Sequence, residues 1–260
     1  MFDPVGYDFQ AIRERLQAFA TERDWDQFHL PRNLALAMMG EVGELCECFQ
    51  WRTAAACQDG LQAFTSDERV HVGEELSDVL LYLVRLSDRC DIDLPASVER
   101  KILLNAKKYP AKLVRGSAQK YHAYAQQTGY TEDAKQVTTD GADGDKHLAC
   151  AGGRAWTPLP LHKLRADLRI FTQERGWDAF HTPRDLALAL SGEAGELCEL
   201  FQYKTEEYCA PGLKEWDKQA KDKLAQELAD VCIYVVRMAD VCGLDLSQAV
   251  HAKMDKNAKK

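Results

Sequence analysis

Apolar residues recur at three- and four-residue intervals over four stretches of the N-terminal half, near 8–23, 31–51, 67–91 and 95–108. This spacing puts them on one face of a 3.6-residue helix, and almost no segment alternates with the period of two that a strand requires. The pattern therefore predicts an all-α fold class. Pro31 and Pro183 stand where a first helical turn tolerates a missing N–H, and Pro95 follows DIDL where a new helix can begin.

The pattern then repeats. Phe19 to Gln50 overlays Phe171 to Gln202 without gaps at an offset of 152, with 22 identities in 32 positions. The same offset carries Glu75 to Glu227, Asp78 to Asp230, Tyr82 to Tyr234, Lys101 to Lys253 and Asn105 to Asn257. A duplication of this quality sets the domain reading for the whole chain. Residues 1–112 form a first module and 156–260 a second, joined by a tail and linker over 113–155. Within the joining segment, Gly129 to Gly153 is rich in Thr, Asp and Gly and reads as flexible. Four helices per module predict a bundle, and two modules predict an intrachain pseudo-dimer with pocket residues drawn from both halves.

Composition narrows the class further. At 46% hydrophobic and 28% charged residues, with no apolar run near the roughly 20 residues that span a bilayer, the chain reads as soluble rather than membrane-embedded. The first ten residues lack the basic start and apolar middle of a secretory signal, so the expected location is cytoplasmic. Nine cysteines without a CxxC pair, several at helical spacing among apolar residues (Cys46, Cys90, Cys198, Cys242), read as buried free thiols. A net charge of −8 argues against a nucleic-acid partner, since phosphate-backbone binding needs clustered cations. It leaves room for a small polyanion held through metal ions.

The anomaly in the pattern is acidic. The second helical stretch, LALAMMGEVGELCECFQW, continues its apolar stripe from Leu34 and Ala37 or Met38 into Glu41 and Glu44, and residues three apart share a helix face. In the third stretch Glu74, Glu75 and Asp78 lead directly into VLLYLV. A single ExxE pair is the ordinary pattern of a solvated stripe. Here ExxE is joined by ExxD, and both recur as Glu193, Glu196, Glu227 and Asp230. Clustered carboxylates in a low-dielectric site take up protons unless a cation neutralises them. Four oxygen ligands with no His or Cys suit Mg²⁺, with Mn²⁺ as a substitute, better than zinc. Glycines at 40, 43, 192 and 195 would let a ligand or a second helix come close.

GEVGELCECFQW followed by EELSDVLLYLVRL resembles the MazG-related all-α nucleotide pyrophosphatases, and within them the dCTP pyrophosphatase family. The segment ERDWDQFHLPRN and the tail NAKKYPAKLVRGSAQKY are similar to that family too, so the likeness covers about 2–121 and again about 161–259. The resemblance implies metal binding by Glu41, Glu44, Glu75 and Asp78, and by Glu193, Glu196, Glu227 and Asp230, with one glutamate of each ExxE pair orienting a water. It implies a nucleotide pocket containing Trp25, Trp51 and Tyr82, with Lys101 and Asn105 at its phosphate or sugar end. In the second module the same places hold Trp177, Tyr203, Tyr234, Lys253 and Asn257.

The activity so implied is Mg²⁺-dependent hydrolysis of dCTP, or a modified dCTP, to dCMP and pyrophosphate. Leu16 and Leu168 stand where the family often has a histidine near the base, which keeps a broader NTP or dNTP preference open. A non-catalytic nucleotide-binding bundle is the third reading, and the intact acidic quartets speak against it. Tyr203 for Trp51 and Gln226 for Glu74 make the second pocket different from the first. His29 and His181, in FHxPR, read as structural caps near a helix start rather than as catalysts. Two chains could pair into a tetramer-like assembly of modules.

Overall fold

A computed structural model describes residues 8–117 and 155–259. Among them the chain forms nine α-helices, and the only β-type pairing is an isolated bridge between Asp8 and Pro160. The helices are α1 (Phe9–Glu22), α2 (Pro31–Gln50), α3 (Ser66–Arg89), α4 (Leu94–Lys108), α5 (Ala111–Val114), α6 (Leu161–Arg175), α7 (Pro183–Glu199), α8 (Lys218–Val241) and α9 (Leu246–Asn257). The expected linker at 129–153 lies outside the described residues. No described helix is long and apolar enough to cross a membrane.

Local chemistry explains where the helices start. Side-chain oxygens of Asp8, Asp93, Thr182, Asp217 and Asp245 accept from backbone N–H groups of the first turn, and Thr65 forms a reciprocal capping box with Glu68. Pro31 and Pro183 open α2 and α7 as the sequence predicts. His29 and His181 are not caps, however: Leu30 and Thr182 occupy those positions. The Nδ1 atoms of these histidines instead accept from the buried Arg85 and Arg237 at 3.1 and 3.2 Å. Each arginine also pairs with two aspartates, Asp26 and Asp88 or Asp178 and Asp240, so each nitrogen of a guanidinium buried in the bundle has an acceptor.

The two halves share one core. Helices α2 and α7 pack against each other across the centre, flanked by α3 and α8, and the buried cluster runs continuously from Phe9 to Met254. At the α2–α7 seam Cys46 Sγ lies 3.2 Å from Ser191 Oγ, and Cys198 Sγ approaches Ala35 O at 3.7 Å. All eight described cysteines are free thiols, five of them buried. The outer helices are exchanged between halves: α4 packs on α8, and α9 packs on α3. The cause is local. Four residues, Cys90 to Asp93, separate α3 from α4, with Asp91 in the left-handed region at φ 56, and this tight turn directs α4 toward the opposite half. The chain is thus an intrachain pseudo-dimer whose modules each lend a helix to the other.

Candidate metal and nucleotide site

Helix α2 supplies Glu41 and Glu44, and α3 supplies Glu75 and Asp78. Carboxylate oxygens of Glu41, Glu44 and Glu75 lie within 4.8 Å of one another, and Glu193, Glu196 and Glu227 repeat the arrangement between α7 and α8. The clusters are graded from inside to outside: Glu75 and Glu227 are buried, Glu41 and Glu193 are half-buried, Glu44 and Glu196 are exposed. Each cluster therefore runs from the buried interior to one open side. The glycines beside it leave that side clear. A Cβ at Gly40, Gly43, Gly192 or Gly195 would meet nothing within 4 Å, so no second helix approaches there.

Electrostatics show the tension in the cluster. Burial pushes the Glu41 carboxyl up to about 7, reinforced by Asp78, Glu44 and Glu75. Glu193 likewise rises to about 7, through burial and then Asp230, Glu196 and Glu227. Glu75 is only 4% exposed; its Oε1 lies 3.2 Å from His71 Nδ1, whereas Oε2 is buried with no hydrogen-bond partner among the described residues. An ionised carboxylate oxygen can only accept, so such an orphan calls for a donor or a cation. A converging set of carboxylate oxygens around it fits a hard divalent cation.

The fourth acidic residue of each set is held from the other half. Lys101 of α4 reaches Asp230 of α8 at 2.5 Å, with side chains 11% and 14% exposed. Lys253 of α9 pairs with Asp78 of α3, which also accepts from Asn257, and it lies 4.0 Å from Glu74. Asn105 is half-buried on α4, one helical turn beyond Lys101. The first site has an additional lysine, since Lys256 bonds both oxygens of Glu74 at 2.7–2.8 Å. In the second half the matching positions are Gln226 and Leu104, so that pair has no counterpart.

The aromatic residues fall into two groups. Tyr82 and Tyr234 adjoin the carboxylates: burial raises the hydroxyl pKa of each, followed by Glu41 and Asp78 for Tyr82, and by Glu193, Asp230 and Tyr109 for Tyr234. Trp25 and Trp177 sit just beyond α1 and α6, edge-on to Phe19 at 5.5 Å and to Phe171 at 5.9 Å. Trp51 and Tyr203, by contrast, end their helices almost fully exposed at 89% and 101%. Trp51 borders a cleft of about 410 Å³ that also includes Cys48, Phe64, Glu68 and His71. His71 escaped the sequence reading, although its position four residues before Glu75 places it on the same helix face.

The chain is a duplicated all-α bundle with two carboxylate clusters, beside each of which an aspartate is paired with a lysine from the opposite half. Residues 37–123 and 188–260 match the MazG-like family model, and the chain belongs to the MazG-like family. It is 54% identical over 110 residues to dCTP pyrophosphatase 1 of Homo sapiens and 56% identical over 110 residues to that of Rattus norvegicus. Each match covers 42% of this chain and 64% of the relative, so the chain aligns with just under two thirds of the length of these curated relatives.

Proposed function

We propose that the chain is a metal-dependent nucleoside triphosphate pyrophosphatase that hydrolyses dCTP, or a modified dCTP, to dCMP and pyrophosphate. The observation that carries this reading is the buried, unpartnered Glu75 Oε2 within a converging set of carboxylate oxygens. Relatives named dCTP pyrophosphatase 1 supply the base and the sugar. Residues 1–112 and 156–260 are the two catalytic modules, with 113–155 as their connection.

Glu41, Glu44, Glu75 and Asp78 would hold Mg²⁺ in the first site, and Glu193, Glu196, Glu227 and Asp230 in the second. Bound Mg²⁺ supplies Lewis acidity toward triphosphate oxygens and water. The chain's own groups do the rest. Glu41 or Glu44, and Glu193 or Glu196, orient the attacking water from the open side. Lys253 and Lys101 fix the fourth carboxylate and face the phosphate charge, together with Asn257 and Asn105. Tyr82 and Tyr234 close the pocket beside the cluster, and Trp25, Trp51, Trp177 and Tyr203 offer faces to the nucleotide. Water adds to phosphorus, the phosphoanhydride bond breaks, and pyrophosphate leaves without a covalent enzyme intermediate.

Leu16, packed against the core, and the buried Leu168 place no hydrogen-bonding group where the family often has a histidine, and this favours a broader nucleotide preference as the second reading. The test is pyrophosphate release from dCTP, 5-methyl-dCTP, dUTP, dTTP, dATP and CTP, with Mg²⁺, with Mn²⁺ and with chelator. Metal-dependent release favouring deoxycytidine nucleotides supports the first reading, uniform release supports the second, and no release refutes both. The enzyme would act on the cytoplasmic nucleotide pool. Exposed Leu36 and Leu188, at matching positions of α2 and α7, support pairing of two chains, which light scattering would test.

A further inference from the structure

The segment that follows α4 does not simply leave the first half. It crosses the second half's Trp177 and is tied to it at four points. Arg175 Nε donates to Tyr109 O at 2.9 Å, Gly116 N donates to Arg175 O at 2.8 Å, and Trp177 Nε1 donates to Ser117 O at 3.0 Å. The Tyr109 ring meets Trp177 edge-on with centroids 5.3 Å apart. Between these ties α5 packs on α6 and buries Val114. The approach is close enough to favour glycine: Gly176 has φ +63, and a Cβ there would lie 3.2 Å from Gly116 N. The first half carries Asp24 at the matching position. There Trp25 stays 42% exposed, with Phe19 and His29 as its ring neighbours among the described residues.

We infer that Tyr109 and the strap 109–117 of the first half form a specificity-determining wall of the second half's nucleotide pocket, with Tyr109 acting as a positioning residue for Trp177. The position of Tyr109 suits the role, because it also lies within electrostatic reach of Tyr234, which adjoins Glu193 and Asp230. Trp177 and Trp25 share matching Phe and His neighbours, and Trp177 is held in addition by Tyr109 edge-on and by a hydrogen bond through Nε1, which fixes the face it presents to a base more firmly than that of Trp25. The two sites of one chain therefore differ in nucleotide affinity, the second being the tighter. This inference rests on the nucleotide-binding reading given above.

The test isolates each site in the full-length chain. Glu41→Gln with Glu44→Gln leaves only the second site active, and Glu193→Gln with Glu196→Gln leaves only the first. In the second-site protein Tyr109→Ala raises KM for dCTP about threefold to tenfold, the range an aromatic edge contact supplies, with kcat within about twofold. Tyr109→Phe restores the KM. In the first-site protein Tyr109→Ala changes neither parameter. Calorimetric titration with α,β-imido-dCTP reads the same difference as binding, independently of turnover. An equal KM change at both sites, a loss confined to kcat, or no change at either site overturns the role of Tyr109. Absence of both turnover and binding in the two parent single-site proteins overturns the nucleotide reading itself.

Discussion

The crossing of α4 and α9 gives a sharp expectation for Lys101. Its ammonium lies 2.5 Å from Asp230 Oδ2, and both side chains are almost enclosed. Replacing it with Met keeps the length and removes the charge. A hydrogen bond to a charged group contributes about 1.5–3 kcal/mol, which corresponds to a loss of roughly tenfold to 150-fold if the contact is retained in the transition state. The damage should fall on the opposite half. Lys101→Met in a chain whose first site is silenced should lose that factor in kcat/KM, while in a chain whose second site is silenced it should cost less than about twofold. Lys253→Met should show the reverse pattern. Pyrophosphate release measures both, and circular dichroism establishes that the variants remain helical. Loss in the lysine's own half, or equal loss in both, would refute the exchanged arrangement.

Glu44→Ala combined with Glu196→Ala should abolish turnover and leave the thermal midpoint unchanged or higher, because exposed like charges are removed from each cluster; a folded, fully active protein would sink the carboxylate assignment. Arg237→Ala removes a guanidinium bonded to Asp178, Asp240 and His181. It should cost about 1–3 kcal/mol in denaturant unfolding, since charged hydrogen bonds to Asp178 and Asp240 and the donor to His181 are lost while Asp240 keeps Arg169 and Asp178 is half exposed. His181 is held neutral, its pKa lowered from 6.5 to about 4 by burial and then by Arg237. Below 6.5 the unfolded chain binds the proton and the folded chain does not, so stability should fall as pH drops from about 6.5 to 4, by up to roughly 3 kcal/mol from this group. His181→Gln should flatten that part of the unfolding profile, and an unchanged slope would remove His181 as its source.

Much of the molecule is legible in the chain itself. The helical periodicity and the two prolines at helix starts mark most of the helices before any packing is considered, because each depends only on neighbours within a turn or two, and the repeat at offset 152 carries the same marks into the second half. Glu41, Glu44 and Glu75 are equally legible. Carboxylates that continue an apolar stripe have one place to go, and two adjoining helices bring them together whatever the outer helices do.

Tertiary structure decided how those parts were shared. The two halves carry the same lysine, asparagine and acidic positions, so their sequence is equally compatible with Lys101 serving Asp78 or Asp230; the tight turn at Cys90 to Asp93 and the packing of α4 on α8 select Asp230. Packing also left Trp51 and Tyr203 in solvent and His29 and His181 on buried arginines, outcomes set by groups more than fifty residues away in the case of the histidines. Local pattern determined which residues turn inward. The turns between helices and long-range packing together decided which half's site they complete, because a duplicated chain offers each helix two chemically equal partners.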